Sequence, residues 1–160
     1  MARVKSLEEV QSGAIERVGR VLTGADWQVK LEPRIGWAEP DIVATSPDGR
    51  IYIIEVKTDD APVHTGLLGQ LNIWQQAAKA EWPEMAVKPL LLTTKSVDPG
   101  LKPLVDRFGL EVVEADSVDE LSGRLAGYLK LTTSSDLSGR MRAAGRKPDE
   151  NGLDAQIPDN

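Results

Sequence analysis

Cysteine is absent from this 160-residue chain, and histidine occurs once, as His64. The first absence excludes disulfides, zinc–thiolate sites and cysteine nucleophiles. The second excludes a zinc site built on several imidazoles, and leaves open a hard cation held by carboxylates. No apolar run approaches the roughly 20 residues needed to span a bilayer. Met1 to Ser6 lead into charged positions and not into an apolar stretch, so no signal peptide is read and the expected location is cytoplasmic, away from membranes. No phosphate-cradling glycine loop follows a strand-like segment, which argues against a nucleotide-binding protein. Basic charge is also scarce: 19 Lys and Arg stand against 25 Asp and Glu, for a net charge of −6. Phosphate binding usually needs a basic face, so this counts mildly against a nucleic-acid partner. The distribution of charge outweighs its sum, and a cation-binding carboxylate cluster itself adds to the acidic excess.

What remains is a chain with 41% hydrophobic and 28% charged residues, long enough for one domain with a real core. Leu7, Val10, Ala14, Val18 and Val21 recur at helical spacing over residues 5–23. Trp27 to Glu32 alternates apolar and polar as a half-buried strand does. Asp41 to Ser46 reads as a second strand, and Pro47-Asp48-Gly49 as a turn. Arg50 to Lys57 reads as a third strand, its Ile-rich run suggesting burial on both faces. After a polar loop over residues 58–66, Leu67, Leu71, Trp74 and Ala78 form one stripe of a helix. A buried strand over Val87 to Thr93, a helix over Pro99 to Phe108, a strand over Leu110 to Glu114 and a helix over Val118 to Leu131 follow. Ser117 and Glu120 suggest a capping box for the last. The order αβββαβαβα predicts an α/β domain over residues 1–131 with a central mixed sheet flanked by helices. From Thr132 to Asn160 large apolar residues thin out, and a flexible polar tail is expected. Its Arg140, Arg142, Arg146 and Lys147 read as solvated charge, with a non-specific phosphate-contacting arm as the weaker option.

The turn fixes a register. A three-residue hairpin loop with Gly49 left-handed pairs Ser46 with Arg50, hence Val43 with Ile53 and Asp41 with Glu55. Two carboxylates directly opposite each other are destabilising unless something lies between them. A divalent cation resolves the conflict, since Mg²⁺ is typically held by one or two carboxylates plus waters and substrate phosphates. Strand alternation places Lys57 on the face of Glu55, where an ammonium can stabilise charge on an attacked phosphate or position a water. The plainer alternative is a strand-capping aspartate beside a surface ion pair of little energetic weight. Charged residues at the end of the most apolar strand favour the first reading, because such groups are usually buried only when paired.

Pro40-Asp41, the interval to Glu55-Val56-Lys57 and their strand–turn–strand setting resemble the PD-(D/E)XK nuclease superfamily, with its restriction-endonuclease-like fold. The helix residues Ala14-Ile15-Glu16-Arg17, followed by Trp27-Gln28-Val29 and Pro40-Asp41, are similar to archaeal-type Holliday-junction resolvases. Gln70 to Trp74 resembles the glutamine motif of RecB-like nucleases, with tryptophan where that motif ends in tyrosine. Lys88 to Thr94, through Gly109 to Val113, resembles the strand–helix–strand that ends Mrr-type restriction domains, whose middle catalytic residue is commonly glutamine where this chain has Glu55. The likeness covers roughly residues 7–130; its core pattern is short and gains specificity from the surrounding topology.

The resemblance implies a metal-dependent endonuclease acting on DNA phosphodiesters with Mg²⁺ or Mn²⁺. It implies that Asp41, Glu55 and the Val56 carbonyl hold the metal with support from Glu16, and that Lys57 is catalytic and Gln70 orients nearby. The helical wheel gives Glu16 two readings. It lies opposite the Leu7–Val18 stripe, which favours solvent, yet flanks the face of Ile15, Val18 and Leu22. Gln70 sits beside its stripe as either a site residue or an ordinary helix-flank residue. Arg34 and Trp37, in the loop before Asp41, and His64, after the third strand, are candidate substrate contacts. Trp37 serves equally as packing, and His64 as a solvent-exposed loop residue. Trp27 and Trp74 are assigned to the core, and Asp59 and Asp60 to loop solvation. Two-strand cleavage would favour a homodimer, and the acidic charge a partner protein that supplies DNA affinity. The rival reading is a non-catalytic nucleic-acid- or protein-binding module of the same fold.

Overall fold

A computed structural model describes residues 6–59 and 62–131. The elements follow the expected order: α1 (Leu7–Thr23), β1 (Gln28–Leu31), β2 (Ile42–Thr45), β3 (Ile51–Lys57), α2 (Thr65–Glu81), β4 (Val87–Thr93), α3 (Lys102–Phe108), β5 (Glu111–Glu114) and α4 (Val118–Tyr128). The five strands form one sheet in the order β1-β2-β3-β4-β5. β1, β2 and β3 run antiparallel to their neighbours, whereas β3, β4 and β5 run parallel. The fold is the expected α/β one. The expected tail at residues 132–160, with its four basic residues, and Asp60 lie outside the described residues. Among the described residues no helix is long and apolar enough to cross a membrane.

The side chains of β3 divide the core. Tyr52, Ile54 and Val56 pack with Ala14, Ile15, Val18 and Leu22 of α1 and with Leu121 and Leu125 of α4. Ile51 and Ile53 pack with Leu68, Leu71, Trp74 and Ala78 of α2. A strand buried on both faces reads as a continuous apolar run, which is why β3 shows no alternation until Glu55. Glu55 and Lys57 continue the Ile51–Ile53 row, on the α2 side, past the end of the apolar core.

The β2–β3 turn forms as its sequence dictates. Gly49 takes φ of 89°, its N–H donates to the Ser46 carbonyl at 2.9 Å, and the Ser46 N–H donates to the Arg50 carbonyl at 2.8 Å. The register pairs Thr45 with Ile51, Val43 with Ile53 and Ile42 with Ile54. One step further sets Asp41 beside Glu55.

Several local expectations are corrected. The buried stripe of α1 is Ala14, Ile15, Val18, Gly19 and Leu22, and Leu7 is 70% exposed. The helix starts with Leu7 at its first position, and its buried stripe begins about two turns later, at Ala14. Its N-terminus carries a full capping box between Ser6 and Glu9. At α4, Ser117 caps the Glu120 N–H, but the Glu120 carboxylate accepts from the Asp116 N–H at 3.0 Å and leaves the box half-made. The helix over Pro99 to Phe108 splits: a 3₁₀ turn at Pro99–Leu101 precedes α3. A proline at the second helical position suits that start, because its missing N–H would be unsatisfied there anyway.

This phase is testable. Leu22→Ala should cost about 3 kcal/mol in urea unfolding, as a fully buried leucine does. Leu7→Ala should stay within about 0.5 kcal/mol, as exposed positions do. Equal losses at the two positions would contradict the observed stripe.

Candidate active site

The site lies at the carboxyl end of β3, where open α/β sheets usually bind ligands. It opens into a cavity of about 760 Å³ between α1, α2 and the loop that precedes β2, and Glu55, Val56 and Lys57 are part of its wall. Asp41 stands at the start of β2, half-buried, and its Oδ2 accepts the Val56 N–H at 2.9 Å. Its own carbonyl accepts the Glu32 N–H at 2.7 Å, which brings a further acid close.

Burial raises the pKa of the Asp41 carboxyl above its usual value, against the pull of the Val56 hydrogen bond. Glu55 is affected more. Burial and then the neighbouring Asp41 charge push it up to about 9. Two carboxyls held this close cannot both ionise cheaply, and the pair behaves as one unit sharing a proton. Glu55 Oε1 is buried without a hydrogen-bond partner. An unpaired buried oxygen is costly, and one that persists in a cleft is a place for a ligand. Two adjacent acids, one with an unpaired buried oxygen on a residue that lines the cavity, are a donor set that fits a hard divalent cation completed by water and phosphate. No cluster of three or more His, Cys, Asp or Glu residues suited to a metal occurs among the described residues.

Lys57 lies on the Glu55 face as strand alternation requires. Its side chain is 11% exposed, and its ammonium donates to Asp59 Oδ1 at 2.6 Å. Asp59, expected to be loop solvation, anchors that ammonium instead.

The structure does not bring Glu16 to this site. Glu16 is exposed on α1, beside a groove formed with Gly19, Arg20, Val29 and Leu31. Gln11, overlooked in the sequence, reaches the site instead. Its Nε2 donates to the Val56 carbonyl and lies 3.4 Å from Asp41 Oδ2, while its Oε1 accepts from Thr58 Oγ1 at 2.8 Å. Helical spacing carried the signal: Gln11 is three, four and seven residues before Ala14, Ile15 and Val18, on the buried face. Its amide bridges two oxygens expected as metal ligands.

Gln70 lines the cavity from the exposed side of α2, and Trp37 from the opposite loop. His64 also lines it, but as the N-cap of α2, its Nδ1 accepting the Leu67 N–H at 3.2 Å. The helix begins at Thr65, so the loop before it is shorter than expected. Arg34 is elsewhere: it pairs with Glu39 and lines a smaller cavity of about 230 Å³ beside Lys30 and Trp82. Trp27 and Trp74 are in the core, as assigned.

A mixed five-stranded sheet flanked by helices is a fold that this chain shares with solved structures of repair endonucleases. A repair endonuclease from Pyrococcus abyssi shares it with a TM-score of 0.54 and 21% identity, over 71% of this chain and 49% of that one. The EndoMS–dsDNA2 complex gives 0.52 and 18%, over 71% and 48%. A protein of unknown function gives 0.55 and 19%, over 84% and 78%. The chain thus spans about half the length of the first two. No protein-family model matches the chain, and no curated protein does.

The acidic pair has a stability consequence. A carboxyl whose folded pKa, about 9, exceeds its ordinary 4.5 makes the native state bind more protons between those values, so stability falls as pH rises through that window. Glu55→Gln should therefore stabilise the protein in chelator at pH 8 by about 2 kcal/mol, roughly 5–10 °C in melting temperature. The gain should vanish near pH 4.5. A pH-independent gain, or a loss at pH 8, would contradict the shared-proton description.

Proposed function

We propose that this chain is a nuclease that hydrolyses DNA phosphodiester bonds with Mg²⁺ or Mn²⁺. The observation that carries the reading is the unpartnered, buried Oε1 of Glu55, a residue that stands beside Asp41 and lines the cavity. Asp41 and Glu55 would hold the cation, and the Val56 carbonyl is available as a further oxygen once the Gln11 amide turns from it. When bound, the cation supplies charge that polarises the phosphoryl oxygen and lowers the pKa of an attacking water.

The chain's own groups do the rest. The Lys57 ammonium offers fixed positive charge to the phosphate oxygens as charge develops on them, and Asp59 keeps it aimed. The low exposure of that side chain makes its charge count for more than it would in water. Gln11 fixes Asp41 and the strand end relative to α1, a positioning task. Gln70 lies on the cavity wall in reach of a bound strand, and Glu16 has no part. The fold shared with repair endonucleases agrees with this reading, as does the DNA named with EndoMS. The net charge of −6 favours a second reading, a non-catalytic binding module of the same fold. On that reading calorimetry finds no divalent-cation binding that depends on Asp41 and Glu55. On the nuclease reading the acidic charge fits a partner protein, or a homodimer, that adds DNA affinity.

Cleavage of a labelled panel of single-stranded, duplex, flap and four-way-junction DNA is the test. Activity should require Mg²⁺ or Mn²⁺ and fall about a hundredfold or more in Asp41→Ala and in Lys57→Ala. Equal cleavage by the wild type and both variants would overturn the assignment. Gln11→Ala should cost about tenfold, as groups that orient ligands do. Glu16→Ala should match the wild type, and a loss there as large as at Gln11 would restore Glu16 to the site.

A further inference from the structure

Trp37 is 67% exposed, yet its backbone is rigidly held. Ile35 and Ala38 exchange both main-chain hydrogen bonds, at 2.8 and 2.9 Å, and both are buried against the α2-side core. Gly36, at φ of 60°, makes the tight corner between them. The turn therefore fixes a large aromatic ring in solvent with nothing packed over it, an arrangement that costs water contact and brings no core burial.

The ring lines the cavity that holds Glu55 and Lys57. Facing it, α2 presents Gly66, Gly69 and Ile73, at three- and four-residue spacing and so on one stripe. A Cβ at Gly69 would meet no atom within 4 Å, so the wall is bare there, and Ile73 adds an exposed aliphatic surface. The cavity thus has an aromatic on one side and, on the other, a helix face that is bare at Gly69 and aliphatic at Ile73, flanked by Gln70 and by the His64 ring over Gly66. Among the described residues that line it, Lys57 is the one Lys or Arg, and its ammonium is paired with Asp59. A duplex presents phosphates and is held by rows of Lys and Arg, which this slot lacks. A single strand carries phosphates as well, but its unpaired bases present π faces that can stack on an aromatic side chain, which the paired bases of a duplex cannot do.

We infer that the slot takes an unpaired deoxynucleotide next to the bond to be cut, its base stacked on Trp37 and backed by the Gly69–Ile73 face. The substrate class is then DNA with single-stranded or splayed nucleotides, and a continuous duplex is a poor ligand. This rests on the nuclease reading for the bond that is cut, but the stacking is measurable without cleavage.

The experiment uses the full chain in chelator and follows intrinsic tryptophan emission during titration with a (dT)₁₀ single strand and with a blunt, fully paired hairpin. Trp27 and Trp74 are buried and the part-buried Trp82 lies outside this cavity, so Trp37 is the tryptophan that a base stacked in the slot quenches. The single strand should quench emission and bind about tenfold or more tighter than the hairpin. Trp37→Ala should abolish the quench and weaken single-strand binding about tenfold, and Trp37→Phe should retain most of the affinity. Unchanged single-strand affinity in Trp37→Ala, or hairpin binding as tight as single-strand binding, overturns the inference. Metal-dependent cleavage that survives this result leaves the nuclease reading intact. Conversely, Trp37-dependent single-strand binding without cleavage of any substrate keeps the slot and removes the nuclease.

Discussion

Asp41 and Glu55 sit together where neither is well solvated, and much of the architecture serves to hold them there. Like charges at facing strand positions repel, and burial strengthens the repulsion. The chain accepts this cost on its most strongly packed element. β3 is bound on both edges, by β2 and β4, and its Ile and Tyr side chains are buried on both faces. A frame this rigid keeps two acids apart from their preferred solvation. A looser one would let Glu55 swing into water, and the unpaired Oε1 would not survive.

The supporting contacts make sense as consequences of that constraint. The Val56 N–H reaches Asp41 from the strand, and Gln11 reaches both from α1, so two layers of the fold meet at the pair. Asp59 pairs with the Lys57 ammonium, and the Glu55 Oε1 two residues away has no hydrogen-bond partner. A site that is destabilised without its ligand and held by rigid elements is what function at the expense of stability looks like. The parallel β3–α2–β4 crossover has a further effect. It puts the first turns of α2 over the strand end, so the cavity wall comes from a helix and not from a loop.

The parts legible in the sequence were those governed by local rules. Gly49 fixed the turn, the turn fixed the register, and alternation put Lys57 beside Glu55. Apolar periodicity sufficed for the element order. What was not legible depended on tertiary placement. Leu7 fits the apolar pattern of α1 but is exposed, and Gln11, which lies on the buried stripe, is a polar residue whose partners come from the start of β2, from β3 and from the segment after β3. Glu16 rests on likeness to a motif, and it lies on the exposed face of α1, away from the acidic pair. His64 reads as a loop residue because an imidazole capping a helix leaves little trace in sequence. Arg34 and Trp37, three residues apart, line different cavities, because the tight turn at Gly36 intervenes.

The account stands or falls on whether the acidic pair is a cation site. Crystals soaked in Mn²⁺ and measured at the manganese absorption edge test it most directly. An anomalous peak within coordination distance of both the Asp41 and Glu55 carboxylates, absent from Glu55→Gln crystals, is the predicted result. No peak at the pair, or a peak unchanged by the substitution, would contradict it.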